Sequence, residues 1–182
     1  MPEYRRARIP GGTYFFTVVT YRKHPILAAD AAVELLLECI RSVEVEHPLT
    51  TDAMVVLPDH LHCIWTLPEG DHGFSERWRQ IKASFTRAYL GGRLDVVSPS
   101  MRGKGERGVW QRRFWEHVIR DEDDFRRHLD YIHYNPVKHG LVERSMQWKH
   151  STFRSFVAKG AYPADWGANE GDYAVDMDLD LE

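Results

Sequence analysis

Short runs of apolar, β-branched and aromatic residues predict four strands in this chain. Residues 13–21 (Thr-Tyr-Phe-Phe-Thr-Val-Val-Thr-Tyr) have the composition of a strand. The runs 51–57 and 60–67 flank the dipeptide Pro58-Asp59, and this pattern predicts a hairpin of two strands. A fourth strand region with an irregular start is expected over 109–119.

Apolar residues at helical spacing predict three helices, over about residues 30–45, 76–90 and 121–135. Each helix begins at an expected N-cap, and the last two end at a helix breaker. The expected N-caps are Asp30, Ser75 and Asp121, the last with Asp124 as a rough capping box, and the breakers are Gly91-Gly92 and Pro136.

The order of these elements is strand, helix, strand, strand, helix, strand, helix. This order predicts an α+β fold, a ferredoxin-like antiparallel sheet with helices on one face and an additional C-terminal helix. A single domain is expected over residues 1–164. Residues 93–108 are rich in Ser, Pro, Gly and charge and are expected to form a loop.

Composition is that of an ordinary soluble globular protein, with 43% hydrophobic and 28% charged residues in 182. The first thirty residues lack the apolar core of a secretory signal, and no run is long enough to cross a membrane. Cys39 and Cys63 are expected to be buried thiols in a reducing compartment. A cytoplasmic location without membrane contact follows from these features.

The formal net charge of −3 hides an uneven distribution. Seven of the 27 acidic residues lie in 165–182, which holds no Lys or Arg. Residues 1–164 contain the other 20 acidic residues and all 24 Lys and Arg residues. This part of the chain therefore carries a net charge of about +4 and could bind a polyanion. The acidic tail over 165–182 is expected to be disordered.

The second strand of the predicted hairpin carries two histidines, His60 and His62. Alternate residues of a strand face the same side, so both imidazoles are expected on one face and form half of a divalent metal site. The alternative is a pair of exposed strand histidines that bind nothing.

The third predicted helix offers a third ligand and a reacting group. At about 100° per residue, Tyr131, Asn135 and His128 fall on one flank of the apolar stripe, whereas Tyr134 falls on the far side. Tyr131 is therefore expected at the boundary between core and solvent, with the Asn135 carbonyl oxygen directed to the same point. The stripe itself consists of Phe125, Leu129 and Ile132.

One interpretation of this helix is a tyrosine nucleophile beside a His-His-Asn metal site. A phenol with a pKa of about 10 attacks poorly, and a divalent cation could polarise a phosphate for it. The alternative is an amphipathic helix whose flanking tyrosine packs its ring and exposes its hydroxyl.

Basic residues close to aromatic ones indicate a nucleic-acid surface, because they suit phosphates and unstacked bases. The alternative is a helix with a solvated outer face, and the exposed arm at residues 5–8 is the stronger candidate. The candidate DNA-binding residues are Arg5, Arg6, Arg8, Arg79, Lys82, Arg112 and Arg113.

Several of these motifs together resemble the REP-associated tyrosine transposases, members of the single-tyrosine HUH (His-hydrophobic-His) endonuclease superfamily. The resemblance extends from about residue 4 to about 166. It is carried by Tyr4-Arg5-Arg6, Gly11-Gly12-Thr13, Val56-Leu57-Pro58-Asp59-His60-Leu61-His62-Cys63-Ile64-Trp65, Phe74-Ser75-Glu76-Arg77-Trp78, Phe114-Trp115-Glu116-His117, Asp130-Tyr131-Ile132 and Asn135-Pro136-Val137-Lys138-His139-Gly140.

The resemblance implies an HUH endonuclease that cuts and rejoins single-stranded DNA at repetitive extragenic palindromes (REPs), which fold into hairpins. It places the metal ligands of a Mg²⁺ or Mn²⁺ ion on His60, His62 and Asn135 and the nucleophile on Tyr131. Attack would give a 5′-phosphotyrosine and a free 3′-hydroxyl. No organic cofactor is expected, and the protein is expected to be a nucleoid-associated monomer or homodimer. The loop over 93–108 is longer than is usual for the family.

Two other functions are compatible with the sequence. One is a catalytically silent protein that binds hairpin DNA in a structural or regulatory role, against which the intact His60, His62, Tyr131 and Asn135 argue. The other is a metal hydrolase that uses water, for which Tyr131 would be dispensable.

Overall fold

Four strands form one antiparallel sheet in a computed structural model that describes residues 8–91 and 108–168. The strand order is β2-β3-β1-β4. With a helix after β1 and another after β3, this is the predicted ferredoxin-like arrangement. The strands are β1 (Thr13–Val19), β2 (Thr50–Val56), β3 (His60–Thr66) and β4 (Trp115–Val118).

The helices include one that the sequence did not predict. They are α1 (Asp30–Glu46), α2 (Phe74–Leu90), α3 (Glu122–Lys138) and the short α4 (Phe153–Ala158). Single 3-10 turns occur at Tyr21–Lys23 and Ser145–Gln147. Within the described residues, no helix is both long and apolar enough to cross a membrane.

Both faces of the sheet are covered. Tyr14, Phe16 and Val18 of β1 pack with α1 and α2, whereas Phe15 packs with α3 on the opposite face. Because side chains alternate along a strand, each face carries its own apolar core. The added helix α3 therefore lies across the sheet from the other two long helices.

The core beneath α1 and α2 contains most of the buried aromatic side chains of the described residues. The rings of Trp65 and Trp78 stack with centroids 4.2 Å apart, and Phe16 contacts both. Trp78 and Phe85, aromatic members of the basic and aromatic pattern, are buried here. These two rings belong to the core and are not available to stack on bases. Cys39 and Cys63 are buried free thiols, as predicted.

The edge strand β2 is covered by the segment that precedes α4. The Val56 N–H donates to the His150 carbonyl at 2.9 Å, and the Thr152 N–H donates to the Met54 carbonyl at 2.9 Å. The indole N–H of Trp148 donates to the Val56 carbonyl at 3.0 Å. The C-terminal part of the chain is thus hydrogen-bonded to the side of the sheet.

The N-terminus of α3 is fixed to β4 through Asp124. Asp121 caps the helix, as predicted, by accepting from the Asp124 N–H at 2.8 Å. The Asp124 carboxylate lies 2.9 Å from His117 Nε2 and accepts from the Arg120 N–H at 3.0 Å. His128 Nδ1 donates to the Asp124 backbone carbonyl at 2.8 Å, one turn earlier in the helix. This network holds the start of α3 against the sheet.

The C-terminus of α3 differs from the prediction, because the helix continues through Pro136 to Lys138. Proline removes one helical N–H, but the turn after it remains bonded. The His139 N–H donates to the Asn135 carbonyl at 3.0 Å, and the Leu141 N–H donates to the Pro136 carbonyl at 3.0 Å. The expected end at Asn135 is therefore wrong by three residues.

The expected caps of α1 and α2 are also wrong. Asp30 is the first residue of α1, and its carboxylate accepts from Lys149 and His150 instead of capping the helix. α2 begins at Phe74, whose buried ring packs 4.7 Å from Tyr14, so Ser75 lies inside the first turn. Tertiary contacts decide where both helices begin.

The fourth strand is shorter than predicted. β4 covers only Trp115–Val118, and residues 111–114 before it lie outside any strand. Trp110 makes an isolated bridge with Thr20 of the neighbouring segment. The expected loop over 93–108, except for Gly108, lies outside the described residues, as do residues 169–182 of the acidic tail expected over 165–182.

We expect Trp78→Ala to lower the free energy of unfolding by about 3–5 kcal/mol, because it leaves a cavity beside Trp65. Urea unfolding followed by circular dichroism measures this loss. Val45→Ala in α1, where the side chain is 83% exposed, is the control and should change stability by less than about 0.5 kcal/mol. A loss for Trp78→Ala no larger than the control would contradict the assignment of this stack to the core.

We expect the contribution of Asp124 to stability to depend on pH. Burial raises the pKa of Asp124, but hydrogen bonds from His117 and the Arg120 N–H outweigh it and bring the pKa to about 2. Since this value lies below the unfolded value of about 3.9, the stabilisation is complete above pH ~4 and is lost as pH falls towards ~2.

Urea unfolding of the wild type and Asp124→Asn between pH ~6 and ~2.5 tests this dependence. The difference in unfolding free energy should shrink as pH falls. Asp123→Asn, at an exposed position in the same turn, provides the matched control. A difference that stays constant with pH would show that the Asp124 charge contributes nothing.

Candidate active site

The β3 strand directs His60 and His62 to the face of the sheet that α3 covers. Both side chains are buried, and their ring centroids are 4.9 Å apart. Leu61 and Cys63 face the other way into the core beneath α1 and α2. The structure therefore brings the two histidines together, and the alternative of exposed strand histidines is wrong.

Each of these histidines uses its Nδ1 atom inside the protein. His60 Nδ1 lies 2.6 Å from the Asp59 carboxylate, and His62 Nδ1 lies 2.9 Å from the Thr17 hydroxyl. Such partners fix the ring orientation and leave Nε2 as the nitrogen that a metal would use. Thr17 is directly opposite His62 in the β1–β3 register, so strand pairing itself positions this contact.

Tyr131 lies directly against the histidine pair. Its ring centroid is 5.1 Å from that of His62 and 5.9 Å from that of Phe15. The side chain is only 1% exposed, so the expected position at the boundary with solvent is wrong. Besides these two rings, the Lys138 ammonium lies 4.9 Å from the centre of the Tyr131 ring.

The other tyrosine of the helix has a separate environment. Tyr134 is half-buried, and its ring centroid lies 6.2 Å from that of Trp166. Trp166 belongs to the segment after α4. The neighbouring His133 is buried against Phe153 and Phe156 of α4 itself. The structure thus places Tyr131, and not Tyr134, beside His62.

Asn135 is fully buried one helical turn after Tyr131. Within the described residues, its side-chain oxygen and nitrogen and the Nε2 atom of His62 make no hydrogen bond. A buried polar atom without a partner costs about 1–3 kcal/mol, and a bound cation would satisfy the oxygen and Nε2. Two imidazoles and one amide oxygen are suitable donors for a divalent ion.

The electrostatics at His62 also suit metal binding. Burial lowers the pKa of His62 well below its usual value, and electrostatic interactions with His60, His139 and Lys138 lower it further. A neutral imidazole is the form that coordinates a metal.

Two residues of this region were missed as site residues. Lys138 contacts the Tyr131 ring, and the His139 ring centroid lies 5.1 Å from that of His60. Both follow Pro136, where the helix was expected to end. The motif Asn-Pro-Val-Lys-His-Gly was visible in the sequence, but only the uninterrupted helix brings its last members to the site.

A second group of side chains could also hold a metal ion. Ligand atoms of His117, Asp124 and His128 lie within 4.8 Å of one another, in the network that fixes the start of α3. The sequence did not indicate this group, because His117 belongs to β4 and the other two to α3. Asp124 also contacts Arg120 and Arg127, so this carboxylate already has cationic neighbours.

The candidate DNA-binding residues are spread over the surface. Arg79 is ion-paired with Glu76, and Lys82 donates to the Gln111 carbonyl at 2.8 Å. Both belong to α2, on the face of the sheet opposite the histidines. Arg8, Arg112 and Arg113 are exposed, whereas Arg5 and Arg6 lie outside the described residues.

No protein-family profile matches the chain. Individual relatives do match. A REP-associated tyrosine transposase of Escherichia coli (strain K12) is 46% identical over 176 residues, which are 96% of this chain and 96% of the relative. A putative REP-associated tyrosine transposase of Haemophilus influenzae is 41% identical over 169 residues, 93% of this chain and 95% of that protein.

The fold agrees with a solved structure of a REP-associated tyrosine transposase bound to a REP hairpin. That chain is 45% identical, and the match has a TM-score of 0.76 and covers 93% of both chains. Since sequence and fold agree over almost the whole length, the chain belongs to the REP-associated tyrosine transposases.

Proposed function

We propose that this protein is a metal-dependent single-strand DNA endonuclease and strand transferase that acts on REP hairpins through a 5′-phosphotyrosine intermediate. The observation that carries the proposal is the 5.1 Å packing of the Tyr131 ring on His62, beside His60. The REP hairpin bound to the solved relative supports the choice of substrate.

The metal site of this proposal consists of His60, His62 and Asn135. The proposed cation is Mg²⁺ or Mn²⁺. Both ions prefer oxygen ligands, but Mn²⁺ accepts imidazole ligands more readily than Mg²⁺ does. A cation held by these three residues would polarise the scissile phosphate and offset charge that develops on its oxygens. Asp59 and Thr17 orient the two imidazoles through their Nδ1 atoms.

Tyr131 is the proposed nucleophile. Its hydroxyl oxygen forms a bond to phosphorus as the bond from phosphorus to the 3′-oxygen breaks. The phenol proton passes to water, and the leaving 3′-oxygen takes a proton from water. One phosphate ester bond, to Tyr131, replaces the one that was broken. A 3′-hydroxyl can therefore attack the phosphotyrosine in the reverse reaction and rejoin the strand.

The proposed partner is single-stranded DNA that carries a REP-type hairpin, bound in the cytoplasm at the nucleoid. Cationic side chains supply contacts to phosphates, which give affinity without sequence readout. The exposed Arg8, Arg112 and Arg113 are the best candidates among the described residues. Arg79 and Lys82, with Arg5 and Arg6, complete the proposed set.

We expect the wild type to form a covalent adduct with a labelled hairpin oligonucleotide that carries single-stranded flanks, in Mn²⁺ or Mg²⁺. The adduct should resist denaturation on a gel. Tyr131→Phe should abolish it, because the nucleophilic oxygen is removed, whereas Tyr134→Phe should retain it. Affinity for the uncut hairpin should change by less than about threefold in both variants.

Other outcomes would favour other functions. An adduct that persists in Tyr131→Phe and disappears in Tyr134→Phe would make Tyr134 the nucleophile. Hairpin binding without cleavage would favour the silent binding protein. Cleavage without an adduct that survives Tyr131→Phe would favour a hydrolase that uses water.

We expect His62→Ala to abolish tight Mn²⁺ binding, measured by the loss of the free Mn²⁺ signal in electron paramagnetic resonance. Thr17→Val removes the hydrogen bond to His62 Nδ1 and should weaken the affinity by roughly 10–100-fold. His24→Ala, at an exposed position, is the control for loss of a surface imidazole.

The same titration separates the two side-chain groups that could hold a metal. His117→Gln should leave Mn²⁺ affinity unchanged if the ion binds at His60 and His62. Binding that survives His62→Ala and disappears in His117→Gln would move the metal to the group with Asp124 and His128.

A further inference from the structure

We propose that Lys138 is a catalytic residue that contacts the scissile phosphate and stabilises its negative charge while Tyr131 attacks. This inference rests on the proposed strand transfer and assigns a role in it to a residue beyond the metal ligands and the nucleophile.

The helix geometry brings Lys138 to the nucleophile. Seven residues separate Lys138 from Tyr131, which is close to two turns, so both side chains lie on the same side of α3. This relation exists only because α3 continues through Pro136 to Lys138. The ammonium lies 4.9 Å from the centre of the Tyr131 ring.

The Lys138 side chain is exposed and contacts the buried ring of the proposed nucleophile. Phe15 and His62 contact the Tyr131 ring from the sheet. Lys138 is exposed, whereas the ring it covers is almost fully buried. The Lys138 ammonium can therefore contact a phosphate from solvent while it lies against the ring that carries the nucleophilic hydroxyl.

A cation next to the scissile phosphate would favour the proposed step, because negative charge develops there. A phosphodiester carries one negative charge, and its non-bridging oxygens gain more as the bond to Tyr131 forms and the bond to the 3′-oxygen breaks. A lysine ammonium offers three N–H donors to these oxygens. A fixed donor aimed at developing charge stabilises the transition state more than the ground state.

A packing role is the alternative, and the chain contains a matched control for it. Lys159 follows α4, and its ammonium lies 5.7 Å from the centre of the Phe156 ring. Like Lys138, Lys159 places its ammonium over an aromatic ring. This ring belongs to a phenylalanine, however, and it does not contact His60 or His62. Lys159→Ala therefore reports the cost of losing such a contact alone.

We expect Lys138→Ala to slow single-turnover adduct formation by roughly 100-fold, the usual cost of one lost donor to a developing oxyanion. Affinity for the uncut hairpin should change by less than about threefold, because the effect falls on the chemical step. Lys138→Arg keeps the cation and should recover most of the rate. Lys159→Ala should react as the wild type does.

A neutral scissile phosphate gives a readout that a packing role would not change. In a methylphosphonate, a methyl group replaces one non-bridging oxygen, so the charge that Lys138 would contact is removed. The ratio of wild-type to Lys138→Ala rates should fall from roughly 100-fold on the phosphodiester to within about threefold on the methylphosphonate. This comparison uses the same two proteins, so a difference in folding cancels.

The outcomes distinguish this inference from the proposed function. If the wild type forms the adduct, Tyr131→Phe does not, and Lys138→Ala reacts at the wild-type rate, the role of Lys138 is wrong and the nucleophile stands. An equal defect on both substrates would mean that Lys138 only packs on the ring. No adduct with the wild type would overturn the proposed function itself.

Discussion

The packing of α3 against one aromatic ring, Phe15 of β1, is the contact on which the candidate site depends. This ring lies 4.8 Å from His128, 5.5 Å from His62 and 5.9 Å from Tyr131, measured between centroids. It therefore sets the spacing between the strand that carries the histidines and the helix that carries the tyrosine. Without this buried contact, the histidines of β3 and Tyr131 of α3 would not be held next to each other.

The same packing removes polar side chains of the candidate site from water. Both His62 and Asn135 are fully buried, so their polar atoms need partners within the protein or from a bound ion. Thr17 satisfies one nitrogen of His62, and helix geometry leaves the Asn135 amide directed inward. Burial is the main cause that lowers the pKa of His62 and favours its neutral form, and the neighbouring His60, His139 and Lys138 lower this pKa further.

The parts of the structure that follow from local periodicity could be predicted, and those that depend on tertiary contacts could not. Alternation along β3 was enough to place His60 and His62 together, because a strand offers only two faces. Helical spacing was enough to place Tyr131 and Asn135 one turn apart on one side of α3, and both are buried. The continuation of α3 past Pro136 was missed, because one lost hydrogen bond is outweighed by contacts that the sequence does not display, such as the burial of Pro136 and Asn135. The group around Asp124 was missed because it joins two elements.

The hydrogen bonds between β2 and the segment around His150 have a consequence for assembly. An exposed edge strand is a template on which another chain can add a strand. Here the Val56 N–H and the Met54 carbonyl at that edge are already bonded to the same chain. A second copy or an extended peptide would have to displace these bonds to lengthen the sheet on this side. The fold thus blocks strand addition along this part of β2.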